Sequence, residues 1–390
     1  MALSKIDVAN MLTGATPVAN GGTALTSGFK NGVDPRPLSK PIIINGDCAI
    51  AQRTAGPTDE SSSGYYCVDR MNIGLSSIGE FRLTQETLSS GNAYNAGFKK
   101  AFRIDCQQAD ASPASSDIAN MTYKLEGNSV QAFKKGTSSA EKYTLAFWVK
   151  SNKTGTAQVN LVDADNSRMV GATYTISSAN TWEHKVLNYP ADTTGAFGID
   201  SNKSLEIEWA LDAGSNFTSG AVPSAWESQA NTDRSVNDLA LQDNTANDWA
   251  ITGIQLEVGT FSSTTLPPFQ FESFGDNLER CQRYFVTVDT VGATQAGFPG
   301  RAFSSSGIMF AVPLPCALRA APSATLTGTI RAFDDAGTKD STSNLSVTSY
   351  GNTDSSIVML QSTGFSSVSN DNSYNVMAIN DTFYKLDAEL

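Results

Sequence analysis

The stretch that most constrains the fold is residues 143–150, because its apolar side chains alternate with a period of two. Leu145, Phe147 and Val149 share one parity, and Trp148 lies on the other. Alternation of this kind in β-branched and aromatic residues, bounded by polar turns, predicts a central strand. We expect one face of this strand in a core and the other at least half covered, with Phe147 fully buried.

A second stretch, residues 249–257, matches the first. Ile251 and Gln255 alternate there with Thr252 and Leu256, and the pattern ends before Gly259. Short strand patterns and turn signals fill the interval between the two stretches. Two long apolar strands far apart in sequence, each with a tryptophan, predict an antiparallel sandwich whose core they close, with Ile251 fully buried.

The composition predicts an all-β protein. Only 17% of the 390 residues are charged, and glycine, hydroxyl and amide residues are abundant. Such side chains compete locally for the backbone and favour turns over helices. The length allows two or three domains with a sizeable core, and the density of short strands indicates a sandwich or jelly roll.

Charge and cysteine usage exclude several classes of protein. A net charge of −12 makes nucleic acid an unsuitable partner, and the basic pairs at 99–100 and 134–135 are interpreted as solvated faces. Five scattered cysteines without CxxC spacing predict reduced, packed thiols instead of disulfides or a zinc site. No secretory signal is recognisable, and the longest near-apolar run, residues 308–318, is interrupted by prolines, so we expect a soluble protein without membrane insertion.

The chain divides into three predicted parts. Residues 1–40 contain one aromatic residue, Phe29, and form an extended N-terminal arm that needs a partner to order, although a frayed terminus fits equally well. Residues 41–275 form a jelly-roll β-sandwich, and 276–390, after Pro267-Pro268, form a smaller C-terminal β-domain. Further predicted strands are 42–47, 65–70, 80–84, 101–106, 156–162, 173–176, 182–189, 205–211, 307–313, 324–333, 356–360 and 374–379, while 121–133 mixes strand and helix signals.

No constellation of catalytic or metal-binding residues is apparent. The single histidine, His184, shares strand parity with Trp182 and is expected to be a core or half-buried residue. Glu206 and Glu208 lie on the same face of a predicted strand, at a spacing close to that of the carboxylate pair of a glycosidase. Together with the neighbouring acidic residues, they are interpreted as a polar outer face of the strand. The turn at 163–167 has Arg168 where a calcium loop needs glycine. We therefore expect no enzyme activity, no metal and no cofactor.

Aromatic residues in polar loops are the candidates for ligand binding. Trp226 and Phe217 lie in the polar stretch 212–248, and Tyr65 and Tyr66 follow a Ser-Ser-Ser-Gly loop. An aromatic plate among hydroxyl and amide groups suits a sugar, whose C–H face stacks while its hydroxyls form hydrogen bonds. The alternative is that each ring packs its own loop onto the sheet.

Several strings resemble known proteins. The order Asn45-Gly-Asp47, 145–151, Asn180-Thr-Trp182 and 251–259 is similar to jelly-roll carbohydrate-binding modules, and the chain resembles tail-fibre and receptor-binding proteins of tailed bacteriophages, especially marine ones. The strings similar to such fibres include Phe147-Trp-Val-Lys150 and Cys281-Gln-Arg-Tyr-Phe285. Residues 17–23, 43–46, 197–205, 209–217 and 388–390 are also similar to segments of such fibres. One departure is that Ala49, Thr252 and Gly253 stand where such modules often carry acidic calcium ligands, so the resemblance implies no metal here.

The resemblance implies a virion component, synthesised in the host cytoplasm and carried on the tail or head of the particle. It implies a homotrimer, joined to other virion proteins through residues 1–40, that attaches to a host surface glycan or receptor without catalysis. Two alternatives stay open. One is a structural head-fibre or capsid decoration protein without its own ligand, and the other is a polysaccharide-degrading enzyme.

Overall fold

The computed structural model describes residues 40–289, 297–334, 337–342, 344–351, 355–366 and 368–390, and its described part is all-β. The predicted arm, residues 1–40, lies outside the described residues except for residue 40. Within residues 40–289 the chain forms a jelly-roll sandwich of two six-stranded antiparallel sheets. The remaining strands form a third, eight-stranded sheet within the described part of the C-terminal region.

The sandwich strands follow one another in two alternating layers. In chain order they are β1 (Thr58–Glu60), β2 (Asn72–Ser76), β3 (Glu80–Thr87), β4 (Lys100–Gln108), β5 (Ile118–Glu126), β6 (Tyr143–Ser151), β7 (Gly155–Asp163), β8 (Arg168–Ile176), β9 (Glu183–Tyr189), β10 (Lys203–Ala213), β11 (Glu227–Ser228) and β12 (Asp248–Val258). The first sheet has the order β1-β3-β4-β12-β6-β9, and the second has the order β11-β8-β7-β10-β5-β2. The strand β9 therefore lies at one edge of the first sheet.

The core lies between the two sheets and contains both predicted long strands. Phe147 on β6 and Ile251 on β12 are 0% exposed, as expected, and the two strands are direct neighbours in the first sheet. The ring of Phe147 makes edge-to-face contacts with Tyr174 and Trp209 of the second sheet, at centroid distances of 5.2 and 5.8 Å. These contacts join the two layers.

Two predicted strands, 42–47 and 65–70, are instead buried turns. Their backbone groups bond to side chains and to single backbone groups of other segments, instead of pairing regularly along a neighbouring strand. The Ile44 N–H donates to the Tyr123 hydroxyl at 2.8 Å, and Asn45 Nδ2 donates to the carbonyls of Ile50 and Asp69 at 3.0 and 2.9 Å. The alternation of apolar residues therefore predicted correctly that these segments are buried, but it predicted the wrong hydrogen-bond partners for their backbone.

Of the two lysines at 134–135, only Lys134 is solvated as expected. Lys134 is exposed, but the Lys135 side chain is 0% exposed and its ammonium lies 3.0 Å from Asp192 and next to Asp163, which is also fully buried. It also donates to two backbone carbonyls, those of Thr194 and Gly195, at 2.8 Å each. The expectation of a solvated Lys135 is wrong because two carboxylates from distant segments surround it.

A bulge interrupts β12 in the middle of the first sheet. The pairing of β12 with β6 shifts register between Thr252 and Gln255, and Gly253 has a φ of +63°. The Ile254 N–H donates to the Gly46 carbonyl at 2.9 Å instead of to a strand. A side chain at Gly253 would meet Phe98 and Trp148 at 2.7 and 3.0 Å, so glycine is required here for both conformation and space.

Helices are short in the described part of the chain. They are α1 (Asn92–Asn95), α2 (Gly127–Val130), α3 (Ser215–Thr218) and α4 (Phe274–Gln282), with 3-10 turns at Gln131–Phe133, Asn231–Asp233 and Leu241–Asp243. The mixed signal of 121–133 thus resolves into the end of β5 followed by α2 and a 3-10 turn. No described helix combines the length and apolar character that crossing a membrane requires.

The third sheet contains the strands predicted for the C-terminal part. They are β13 (Phe285–Asp289), β14 (Phe298–Ala302), β15 (Gly307–Pro313), β16 (Ser323–Asp334), β17 (Gly337–Thr342), β18 (Ser346–Tyr350), β19 (Ile357–Thr363) and β20 (Ser373–Asp387). Their order is β17-β16-β20-β14-β15-β19-β18, and β13 pairs with β20. One side of this sheet carries a second apolar core that includes Phe310, Val358 and Tyr384.

Charged and apolar contacts join the sandwich to the third sheet. The Arg70 side chain is 1% exposed, donates to the Glu389 carboxylate, and lies 3.5 Å from the Tyr284 ring centroid. Arg283 forms a bidentate pair with Glu126 at 2.9 and 2.8 Å. An apolar cluster that includes Ile44, Ile50, Cys281 and Tyr284 lies between them. All five cysteines are free thiols; four are buried, as the expectation of packed side chains requires, and Cys316 is half-buried.

Candidate functional site

Trp226 is not a surface aromatic, contrary to expectation. Its side chain is 8% exposed, and its ring centroid lies 5.8 Å from that of buried Tyr143. The indole Nε1 donates to the Pro190 carbonyl at 2.9 Å, so both its apolar and its polar parts are occupied inside the protein. Burial of this kind anchors the polar stretch before β12 against Tyr143 of β6, a strand of the first sheet.

The other three aromatic candidates for ligand binding each contact other parts of the protein. Phe217 is half-buried, and its ring centroid lies 5.5 Å from the Arg234 guanidinium carbon. The Tyr65 hydroxyl donates to the Leu390 carbonyl at 3.2 Å, at the junction with the third sheet. The Tyr66 hydroxyl donates to the Ser62 carbonyl at 3.1 Å within its own loop. The structure therefore does not bring these four rings together in one site.

The carboxylates of β10 are paired inside the molecule. Glu208 is 2% exposed and accepts hydrogen bonds from Arg234, with the shortest contact at 2.7 Å, and from Asn120 Nδ2 at 2.7 Å. Burial raises the pKa of Glu208, and the Arg234 guanidinium opposes that rise. Glu206 pairs with Lys203 at 2.6 Å. The expected polar outer face is thus wrong for Glu208, because residue 234 covers it.

The structure does place an aromatic pair on the outer face of the first sheet. Trp148 of β6 and His184 of β9 are opposite each other in register, and their rings stack with centroids 4.9 Å apart at 28°. Trp148 is half-buried beside Gly253 of the β12 bulge, whereas His184 is exposed. The expectation of a core or half-buried histidine is wrong because β9 is an edge strand whose outer face is only partly covered.

An open pocket adjoins His184, and we call it the His184 pocket. It has a volume of about 530 Å³ and is lined by His184, Val186, Asn188, Thr260, Phe261, Ser262, Ser263 and Thr265. Asn188 holds its wall in place: Oδ1 accepts from the Thr144 hydroxyl at 2.6 Å, and Nδ2 donates to the Phe261 carbonyl at 2.9 Å. The segment at Phe261 is therefore held against Asn188 of β9 and, through Asn188, against Thr144 of β6.

A second open pocket, the Lys150 pocket, lies at the start of β9. It has a volume of about 370 Å³ and is lined by residues 86–92, Lys150 and residues 180–182. The Lys150 ammonium lies 3.2 Å from Glu86 Oε1 and 5.2 Å from the Trp182 ring centroid. Its charge is therefore compensated within the pocket, and the remaining rim is formed by serine, threonine and asparagine side chains.

The environment of His184 favours its neutral form. Burial of part of the ring lowers the pKa of His184 below its ordinary value. A neutral imidazole can both donate and accept a hydrogen bond. Among the residues that the structure describes, no group of three or more histidine, cysteine, aspartate or glutamate side chains is arranged to hold a metal ion. The chemistry offered is stacking and neutral hydrogen bonding.

Comparison with known proteins leaves the family open. No protein-family model matches the sequence, and no curated protein matches it. Among solved structures, the enzymatically active domain of tailspike protein 4 of bacteriophage CBA120 is 13% identical over 56% of this chain. That match spans 21% of the tailspike chain, with a TM-score of 0.28.

Carbohydrate-binding modules also match at low identity. The family 11 module of a Clostridium thermocellum cellulase is 8% identical over 53% of this chain and 98% of its own, with a TM-score of 0.27. The CBM22-1-CBM22-2 tandem domain from Paenibacillus barcinonensis is 10% identical over 87% of this chain and 98% of its own, with a TM-score of 0.24. Because every one of these scores is below 0.5, the likenesses place the chain in no family.

Proposed function

We propose that this chain is a non-catalytic glycan-binding protein and that its site is the Trp148–His184 stack with the His184 pocket. The observation that supports this most directly is an exposed ring, backed by a tryptophan, at the edge of an open pocket with hydroxyl and amide groups. An aromatic surface accepts the C–H face of a sugar, and the surrounding polar groups bind its hydroxyls.

Charge compensation favours neutral glycans as ligands. The cation nearest to the stack on the outer face of β6, Lys150, is paired with Glu86, and on β9 Lys185 is paired with Glu183 at 2.6 Å. The net charge of −12 repels polyanions at longer range. Binding should then change little with salt concentration, because few ion pairs form with the ligand.

The biological setting that we propose is attachment of a bacteriophage particle to its host surface. The support is the sequence resemblance to tail-fibre and receptor-binding proteins. In this setting the chain is a homotrimer and residues 1–40 join it to other virion proteins. A weak single site is sufficient in a trimer, since each later contact is intramolecular and gains from effective concentration. Light scattering tests the trimer, and finding only monomer at micromolar concentration would contradict it.

A direct binding experiment tests the glycan site. Titration calorimetry would compare the parent with His184→Ala on a panel of neutral gluco-, galacto- and manno-oligosaccharides. We expect at least a tenfold loss of affinity in His184→Ala, because the stacking surface is removed. Thr175→Ala, an exposed residue of the opposite sheet, is the matched control and should bind like the parent. Equal binding by His184→Ala would place the site elsewhere, and no binding to any glycan would contradict the function.

Two further measurements separate the alternatives. Purified protein should compete with particles for adsorption to host cells, and the competition should weaken in His184→Ala. Absence of competition, together with absence of glycan binding, would favour a structural head-fibre or decoration protein. Release of reducing sugar from host polysaccharide would favour an enzyme, which the paired state of Glu206 and Glu208 does not support.

A further inference from the structure

The two open pockets on the outer face of the first sheet are neighbours along β9. Trp182, His184, Val186 and Asn188 have the same strand parity, and each lines one of the two pockets. Trp182 belongs to the Lys150 pocket and His184 to the other, only two residues further on. Residues two apart on one face of a strand are about 7 Å from each other, so consecutive residues of one face of the β9 segment line the two pockets.

The rims of the two pockets offer the same chemistry. The Lys150 pocket presents the exposed side chains of Ser89, Ser90 and Thr181, and the His184 pocket presents those of Ser262, Ser263 and Thr265. Hydroxyl groups both donate and accept, as the hydroxyls of a sugar do. The single fixed charge pair, Lys150 with Glu86, leaves the lining of the Lys150 pocket electrically balanced.

We propose that the two pockets form one continuous groove that binds a linear, neutral glycan lying along β9. This inference rests on the proposed function and adds the length and linear form of the ligand. From residue 181 to residue 188 the groove follows roughly 20–25 Å of strand. Several sugar units fit along such a length, with one unit stacked at His184 and the later ones bound by hydroxyl groups in the Lys150 pocket.

A peptide fits this surface less well than a glycan. A peptide would add to the free edge of β9 through its backbone, whereas the pockets lie on the face of the sheet, where the ligand meets side chains. The rim contains no unpaired carboxylate or ammonium among the residues named above that would recognise charged peptide side chains or termini. A dense set of hydroxyls with one aromatic stack is instead suited to a polyol.

The test is the dependence of affinity on ligand length. Titration calorimetry would use the disaccharide and hexasaccharide of whichever neutral series binds the parent protein. We expect the hexasaccharide to bind at least tenfold more tightly, because it reaches both pockets. The variant Ser90→Tyr fills the Lys150 pocket from an exposed position, so it should reduce hexasaccharide affinity to the affinity that the parent has for the disaccharide.

Controls keep the result interpretable. Ser139→Tyr adds the same side chain at an exposed position outside both pockets and should bind both ligands like the parent. Thr181→Tyr blocks the same pocket from the opposite rim and should reproduce Ser90→Tyr. Equal affinities for the two lengths, or an unchanged hexasaccharide affinity in both blocking variants, would overturn the groove while leaving the glycan site intact. Absence of binding to every glycan would instead overturn the proposed function, and the groove with it.

Discussion

Lys135 places its ammonium beside two buried carboxylates, those of Asp163 and Asp192, in a region closed to solvent. Replacing it in Lys135→Met should lower the free energy of unfolding by about 3–5 kcal/mol, because Asp163 would be left buried without a cation and Asp192 would keep only Arg168, at 2.8 Å. Chemical denaturation measures the loss. Lys134→Met is the matched control, with its side chain 53% exposed, and should change stability by less than about 1 kcal/mol. Similar losses in the two variants would contradict the buried pair.

Asp212 should make stability fall as pH rises. Burial raises the pKa of its carboxyl to about 7, so the folded state keeps a proton that the unfolded state has released. Between about pH 4 and pH 7 this group therefore reduces the free energy of unfolding with increasing pH. Asp212→Asn keeps an oxygen to accept the Gln242 N–H but does not titrate. Its stability relative to the parent should increase across this window, and a difference independent of pH would contradict the assignment.

At the scale of residues, the sequence predicted depth from strand parity better than it predicted partners. The parity of Trp148 correctly placed it on the less covered face, and the shared parity of His184 and Trp182 correctly placed both on one face. Parity contains no information about which strand lies at an edge, and for that reason the exposure of His184 was missed. Lys135 was missed because Asp163 and Asp192 are remote in sequence, and only the folded chain brings them together.

The bulge in β12 is the element whose disruption should affect both stability and binding. Gly253→Ala forces a left-handed conformation on alanine, which costs roughly 1–2 kcal/mol, and adds a contact with Phe98 at 2.7 Å. Because Trp148 is also in contact, the stack should move and glycan affinity should fall. Gly275→Ala is the control: it lies in α4 with nothing within 4 Å and should stabilise by roughly 0.5–1 kcal/mol. Undiminished stability in Gly253→Ala, measured by thermal unfolding, would contradict the strain argument.

At the scale of elements, alternation located β6, β10 and β12 to within a few residues, because each of these strands faces the core with at least one parity. It failed at 42–47 and 65–70, which are buried turns whose backbone bonds in part to side chains: Ile44 N–H donates to the Tyr123 hydroxyl, and the Asp69 carbonyl accepts from Asn45 Nδ2. Helix α4 was not predicted, although its Ser273 cap, which accepts the Asp276 N–H, was an available signal. A hydrophobic pattern predicts whether a side chain is buried, but it does not predict which strand its backbone pairs with.

At the scale of the whole molecule, Glu389 should couple the third sheet to the sandwich. Its carboxylate pairs with Arg70, which is buried against Tyr284. Glu389→Gln leaves that guanidinium without its anion, so we expect a lower melting temperature and separation of the unfolding into two transitions in scanning calorimetry. Glu279→Gln, on an exposed side chain, should melt like the parent. A single unchanged transition in Glu389→Gln would show that other contacts join the two parts.

The boundary at 275–276 stays a prediction, and limited proteolysis of the whole chain would test it. Helix α4 spans that position, and Asn277 Oδ1 of this helix accepts the Asn45 N–H at 3.1 Å within the sandwich. Cleavage that leaves α4 attached to the sandwich would move the boundary beyond the helix. Sequence reasoning relied on Pro267-Pro268, which marks a change of direction but contains no information about long-range contacts of the following helix.

The Lys135 ammonium has a consequence for how the sandwich depends on its surroundings. Two carboxylates and two carbonyls around one positive centre are the groups that commonly hold a dissolved cation. Here the cation is a lysine side chain of the protein itself, so every molecule carries it whatever salts are in solution. A chelator therefore cannot remove this cation, and dilution cannot dissociate it. The region around residues 163–195 thus carries its own counter-ion and should fold alike in calcium-rich and calcium-free solution.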